Sequence, residues 1–166
     1  RRRVCRERVS LFGRDRAAKR GTPFDWLIVG LGNPGKEYAR SRHNVGAEVV
    51  TVLATRCGTP LKGGRDRALV AEARMSERRV VLAFPTTFMN LSGESVSALV
   101  RRYGIERPDQ IVVVHDELDL QPGTVRVKAG GGLAGHNGLR SIMQSIGTGD
   151  FARLRVGIGR PPQGFT

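Results

Sequence analysis

The sequence predicts a single α/β domain with a mixed β-sheet flanked by helices. Three observations carry that prediction. Strand-like and helix-like apolar spacings follow one another along the chain. A length of 166 residues suits about one domain and can bury a core. An apolar content of 39% with 22 glycines fits a fold with many tight turns.

The elements follow in order. The apolar run from Trp26 to Val29 reads as a short buried strand ending near Leu31. After a polar loop to Asn44, Val45, Val49, Val52 and Leu53 recur at helical spacing, with Asn44 as a start cap and Gly58 as a stop. Residues 67–74 and Arg79 to Phe84 read as two strands of a hairpin through Ser76-Glu77. A second helix fits Leu91 to Tyr103, with Leu91, Val96, Leu99 and Val100 on its apolar side and a Gly104 stop. Ile111 to Val114 is wholly apolar, like a strand covered on both faces. Thr124 to Ala129 alternates as a more exposed strand, a third helix runs from Asn137 or Gly138 to Ile146, and Leu154 to Ile158 is a last strand. The order is β-α-β-β-α-β-β-α-β, with no internal repeat and no second domain.

Composition narrows the function classes. No run approaches the roughly 18 apolar residues that span a bilayer, and no apolar core follows the charged N-terminus as in a signal peptide. Cys5 and Cys57 give neither a disulfide framework nor a zinc motif, which points to a reducing cytoplasm. The net charge is +13. Residues 1–23 carry nine Arg or Lys against Glu7 and Asp15, a net of +7, which leaves +6 on the other 143 residues. This basic extension reads as disordered, with the domain proper at 24–166. It could attract nucleic acid, serve as an organelle-targeting segment, or reflect a fragment or an overextended reading frame, since no initiator Met is present. The basic body suggests an anionic partner without help from the tail.

Gly30-Leu31-Gly32-Asn33-Pro34-Gly35 satisfies the G-x-G-x-x-G pattern of a dinucleotide turn. Its context does not. Gly35 to Arg40 has no apolar face, the periodic helix begins about ten residues late, and Glu48 falls inside that helix rather than at a strand end. Attention shifts to polar groups. The chain has only four Asn (Asn33, Asn44, Asn90, Asn137) and three His (His43, His115, His136), each Asn in a Gly- or His-containing cluster. His115 and Asp116 are adjacent, but strand neighbours point to opposite faces, so Asp116 serves another histidine. His43, in the loop before the first helix, is free to meet it. Alternatively, Asp116 is a cap and His43 a solvated loop residue.

Asn supplies both a donor and an acceptor, which suits holding an ester carbonyl or a peptide backbone. Capping and turn roles remain open for Asn33, Asn90 and Asn137. Phe88-Met89 reads as core or as an apolar wall for a substrate. Arg126 and Lys128 share a strand face, and Arg153, Arg155 and Arg160 flank the last strand; solvated surface and a phosphate track are both open readings.

Together the segments GLGNPGKEYARSRHNVG, FPTTFMNLSGESV, VVVHDELDLQPGTVRVKAGGG, AGHNGLRSI and DFARLRVGIGRP resemble bacterial peptidyl-tRNA hydrolase, in order and at its spacings, over about Trp26 to Pro161. The resemblance implies the family's α/β fold and an esterase that separates peptide from the 3′-terminal ribose of tRNA, recycling tRNA from prematurely released peptidyl-tRNA without metal or cofactor. It implies His43 as the base that activates water, Asp116 as its orienting carboxylate, and Asn33 and Asn90 as groups that position the carbonyl and the peptide backbone. It implies Asn137 toward the tRNA 3′ end or holding water, Met89 and Tyr38 in the cleft wall, and Lys128 and Arg155 on tRNA phosphates. It also implies a cytoplasmic monomer whose partner is the acceptor end of peptidyl-tRNA.

Two departures stand out. Leu133-Ala134 replaces a usual His-Gly pair. The chain also stops at Thr166, where the family continues to a C-terminal helix over the cleft, so the domain is expected to be a fragment lacking its C-terminal part. The rival function is a non-catalytic RNA-binding relative of the group II intron splicing type. The intact His43, Asp116, Asn33 and Asn90 weigh against it.

Overall fold

The computed structural model describes residues 23–162 together with Phe12. The expected disorder of residues 1–23 therefore lies outside the described residues, apart from Pro23 and from Phe12, which packs against the main core.

Seven strands form one mixed sheet: β1 (Trp26–Gly30), β2 (Lys62–Gly63), β3 (Ala68–Met75), β4 (Arg78–Pro85), β5 (Ile111–Glu117), β6 (Val125–Ala129) and β7 (Ala152–Gly157). Their spatial order is β2-β3-β4-β1-β5-β7-β6. The four inner strands β4, β1, β5 and β7 run parallel, and β2, β3 and β6 pair antiparallel at the edges. The helices are α1 (Val45–Arg56), α2 (Ser92–Arg102) and α3 (Asn137–Ile146). This is the expected order, with the two-residue β2 added. Ser76 and Glu77 both have positive φ (44° and 65°), as a two-residue hairpin turn of matching twist requires.

Two cores sandwich the sheet. On one face Leu27, Val29, Ile111 and Val113 pack under Val96, Leu99 and Val100 of α2 and Leu139, Ile142 and Ile146 of α3. On the other, Ala54 of α1 packs on Ala71, Ala73, Val80 and Leu82. The apolar stripe expected for α1 is displaced. Its buried residues are Gly46, Ala47, Val50 and Ala54, and Val52 is 49% exposed. The cause is close approach: a Cβ on Gly30 would lie 2.1 Å from the Gly46 carbonyl oxygen, and one on Gly46 would lie 2.3 Å from the Val114 carbonyl oxygen. Small residues, not the valine stripe, let this helix lie on the backbone of β1 and β5. Among the described residues no helix is long and apolar enough to cross a membrane.

Candidate active site

The carboxyl ends of β1, β4 and β5 lead into the loops that carry most of the expected residues, as open α/β sheets favour. β5 extends to Glu117, so Asp116 lies within the strand, and its carboxylate bonds to His43 and His136 rather than to the adjacent His115. The loop after β1 ends in a short 3-10 turn, Arg42–Asn44, capped by Ser41 Oγ, which accepts from the His43 N–H at 3.3 Å. That turn brings His43 Nδ1 to 2.7 Å from Asp116 Oδ2. The His43 side chain is 60% exposed and that of Asp116 only 9%. With Nδ1–H donating to the carboxylate, His43 Nε2 keeps a free lone pair on an exposed ring.

A third member was not anticipated. His136 Nε2 lies 3.0 Å from Asp116 Oδ1. Its other nitrogen, Nδ1, accepts from the backbone N–H groups of Gly138 (3.1 Å) and Leu139 (3.3 Å), so His136 caps the start of α3. Those two donors require a lone pair on Nδ1, which puts the proton on Nε2, where it donates to Asp116. Each carboxylate oxygen thus receives one imidazole N–H. Burial alone would push the Asp116 carboxyl up; the bonds from His136 and His43 more than offset this and hold it below the usual carboxylate range.

The asparagines divide by role. Asn33 Oδ1 accepts from the Met89 N–H at 2.9 Å, which leaves its Nδ2 donors for another partner. Asn44 is buried and caps nothing with its side chain, contrary to expectation. Instead it bonds both backbone groups of Asn33. Asn90 is exposed in the 3-10 turn Met89–Leu91, and Asn137 is exposed at the first position of α3. Met89 is half-buried and packs against the core, and Tyr38 is half-buried in the loop before His43.

The basic residues also divide. Arg155 is half-buried, 3.9 Å from Glu117, and Lys128 is half-buried on the edge strand β6 opposite Arg153. Arg153 is no part of an open phosphate track: it is 1% exposed, and its Nη1 and Nη2 groups meet backbone carbonyls, while its Nε is buried without a partner among the described residues. In the Gly-rich loop, Leu133 packs against the core. Ala134 takes a left-handed φ of 48°, a conformation in which a Cβ is strained by about 1–2 kcal/mol.

Ligand atoms of His115, Asp116 and His136 lie within 4.8 Å of one another, the spacing of a metal site. The proton placement argues against that use, since His136 offers an N–H where a metal needs a lone pair. His115 directs Nδ1 to the Asp116 carbonyl at 2.7 Å, and burial holds its imidazole below the ordinary range.

A peptidyl-tRNA hydrolase family profile matches residues 27–166. The peptidyl-tRNA hydrolase of Frankia alni is 58% identical over 137 residues, 82% of this chain and 69% of that protein. That of Pseudarthrobacter chlorophenolicus is 55% identical over 139 residues, 82% of this chain and 70% of its own length. The crystal structure of peptidyl-tRNA hydrolase from Acinetobacter baumannii superposes with a TM-score of 0.79 at 44% identity, covering 87% of this chain and 74% of that one. With the family profile spanning every loop around Asp116 and a relative 58% identical over 82% of the chain, the chain belongs to the peptidyl-tRNA hydrolase family.

Proposed function

We propose that the chain hydrolyses the ester between peptide and tRNA in peptidyl-tRNA, with His43 as general base. The observation that carries the mechanism is the bond from His43 Nδ1 to Asp116, which leaves Nε2 free on an exposed ring. In this reading Nε2 removes a proton from water as the water attacks the ester carbonyl. Asp116 holds the tautomer and stabilises the imidazolium that forms. The protonated imidazole then returns its proton to the departing ribose 3′ oxygen. Nδ2 of Asn33 is a ready donor toward the developing oxyanion, because its Oδ1 is fixed by Met89; such a donor is worth about 2.7–4 kcal/mol in the transition state.

Asn90 holds the peptide backbone, with Met89 and Tyr38 beside the cleft. Asn137, Lys128 and Arg155 meet the acceptor end of the tRNA. The step is metal-independent in this account, since the base is an imidazole and the acid is the same group protonated. A cytoplasmic site of action fits the reaction, as peptidyl-tRNA is released from ribosomes.

The test is release of N-acetyl-amino acid from N-acetyl-aminoacyl-tRNA by wild type and His43→Ala. Turnover should fall about 10²-fold or more in the variant with tRNA binding retained. Equal turnover would remove His43 as the base. Binding of tRNA without release by folded wild type would support the RNA-binding relative instead.

A further inference from the structure

The loop that delivers His136 to Asp116 has few backbone attachments. Gly130 N–H reaches the Phe151 carbonyl, and His136 N–H reaches back to Leu133. Ala134 between them is strained. Arg153 supplies the rest. Its Nη1 donates to the carbonyls of Gly131 at 2.9 Å and Gly132 at 2.6 Å, and its Nη2 to that of Gly149 at 3.1 Å. The guanidinium carbon lies 4.9 Å from the centroid of the Phe151 ring.

Gly131 and Gly132 precede α3, and Gly149 follows it. One buried guanidinium thus joins the chain entering α3 to the chain leaving it. Burying a charge is costly unless it is compensated; here both Nη groups are paired and Nε is not. A planar fork reaches acceptors in two directions, whereas a lysine ammonium is a point charge. Downstream of this clamp, past Leu133, which packs against the core, lies His136, whose ring must meet two backbone N–H groups and a carboxylate at once.

We infer that Arg153 is a positioning residue for the hydrolysis: by clamping both connections of α3 it sets the loop so that His136 presents Nε2–H to Asp116. The inference rests on the reading of Asp116 as the partner of the general base.

The experiment is a double-mutant cycle of Arg153→Lys and His136→Ala, scored by kcat and KM for N-acetyl-aminoacyl-tRNA on protein shown folded by its melting curve. Arg153→Lys should lower kcat about tenfold, with KM changed less than about threefold, as misplacement from a distant change does. In the His136→Ala background it should cost less than about twofold more, because the route through His136 is already gone. A merely structural arginine would change the folded fraction and leave kcat per folded molecule unaltered. Wild-type kcat in folded Arg153→Lys, or losses that multiply in the double variant, would overturn the inference. Wild-type kcat in His136→Ala would overturn the network reading and this inference with it. Arg153→Gln, which leaves no buried charge, repeats the cycle where lysine prevents folding. Nitrogen NMR of the imidazoles adds a second reading: the unprotonated Nδ1 of His136 in wild type should give way to mixed tautomers in Arg153→Lys or Arg153→Gln, and an unchanged signal counts against the inference.

Discussion

Asn44 closes both ends of its amide on one residue. Its Oδ1 accepts from the Asn33 N–H at 2.9 Å, and its Nδ2 donates to the Asn33 carbonyl at 2.8 Å. The turn that presents Asn33 is therefore held by the residue that follows His43. Asn44→Asp removes the donor and leaves a part-buried carbonyl unpaired. It should lower stability by about 1–3 kcal/mol and reduce kcat in the same variant. Denaturant melts and single-turnover release check both; an unperturbed kcat would show that the Asn33 turn holds its place without Asn44.

Asn33→Asp isolates the proposed oxyanion donor. The carboxylate still accepts from Met89 N–H, so the turn should survive, while the Nδ2 donors are lost. We expect kcat to fall about 10²–10³-fold with a melting temperature near wild type. A loss of KM alone would assign Asn33 to ground-state binding.

His115 makes a stability prediction with a definite sign. Its folded pKa is lowered by burial, so below the ordinary histidine value the unfolded chain binds a proton that the folded chain refuses. Stability is then fully present above about pH 6.5 and falls as pH drops below it, by at most about 1.4 kcal/mol per pH unit. His115→Gln should flatten that part of the curve in urea unfolding between pH 7.5 and 5, a range chosen to bracket the ordinary value of about 6.5. An identical slope in the variant would mean that other groups carry it.

Lys128→Ala and Arg155→Ala should each weaken tRNA binding and reduce the salt slope by about one, leaving kcat near wild type. Titrations at three or more salt concentrations read the slope directly. A slope that does not move would place these side chains away from phosphate.

The fold was legible because its strands and helices carry clean patterns, from the apolar run Ile111 to Val114 that opens β5 to the positive-φ turn at Ser76-Glu77. The apposition of Asp116 and His43 was legible too, since alternation along β5 points Asp116 toward a histidine other than its neighbour His115. What escaped was set by backbone groups. His136 caps α3 where Ser, Thr, Asp or Asn is the usual cap, so nothing in its spacing signals a role beside Asp116. Arg153 looked like surface charge because its acceptors are carbonyls of Gly131, Gly132 and Gly149, which no side-chain pattern reveals. The buried face of α1 was misplaced for a similar reason, as the valines marked the periodicity while Gly46 and Ala47 made the contact.

The backbone contact of α1 with β1 and β5 has a consequence for His43. Only Asn44 and Val45 separate the imidazole from Gly46, whose α-carbon has no room for a methyl group against the Val114 carbonyl, two residues before Asp116. The helix acts as a ruler laid on β5: its zero mark is the bare backbone of Gly46, and the 2.7 Å between imidazole and carboxylate is read off from there. One added carbon at Gly30 or Gly46 lifts the ruler. The geometry at Asp116 thus hangs on two hydrogen atoms standing where side chains would begin.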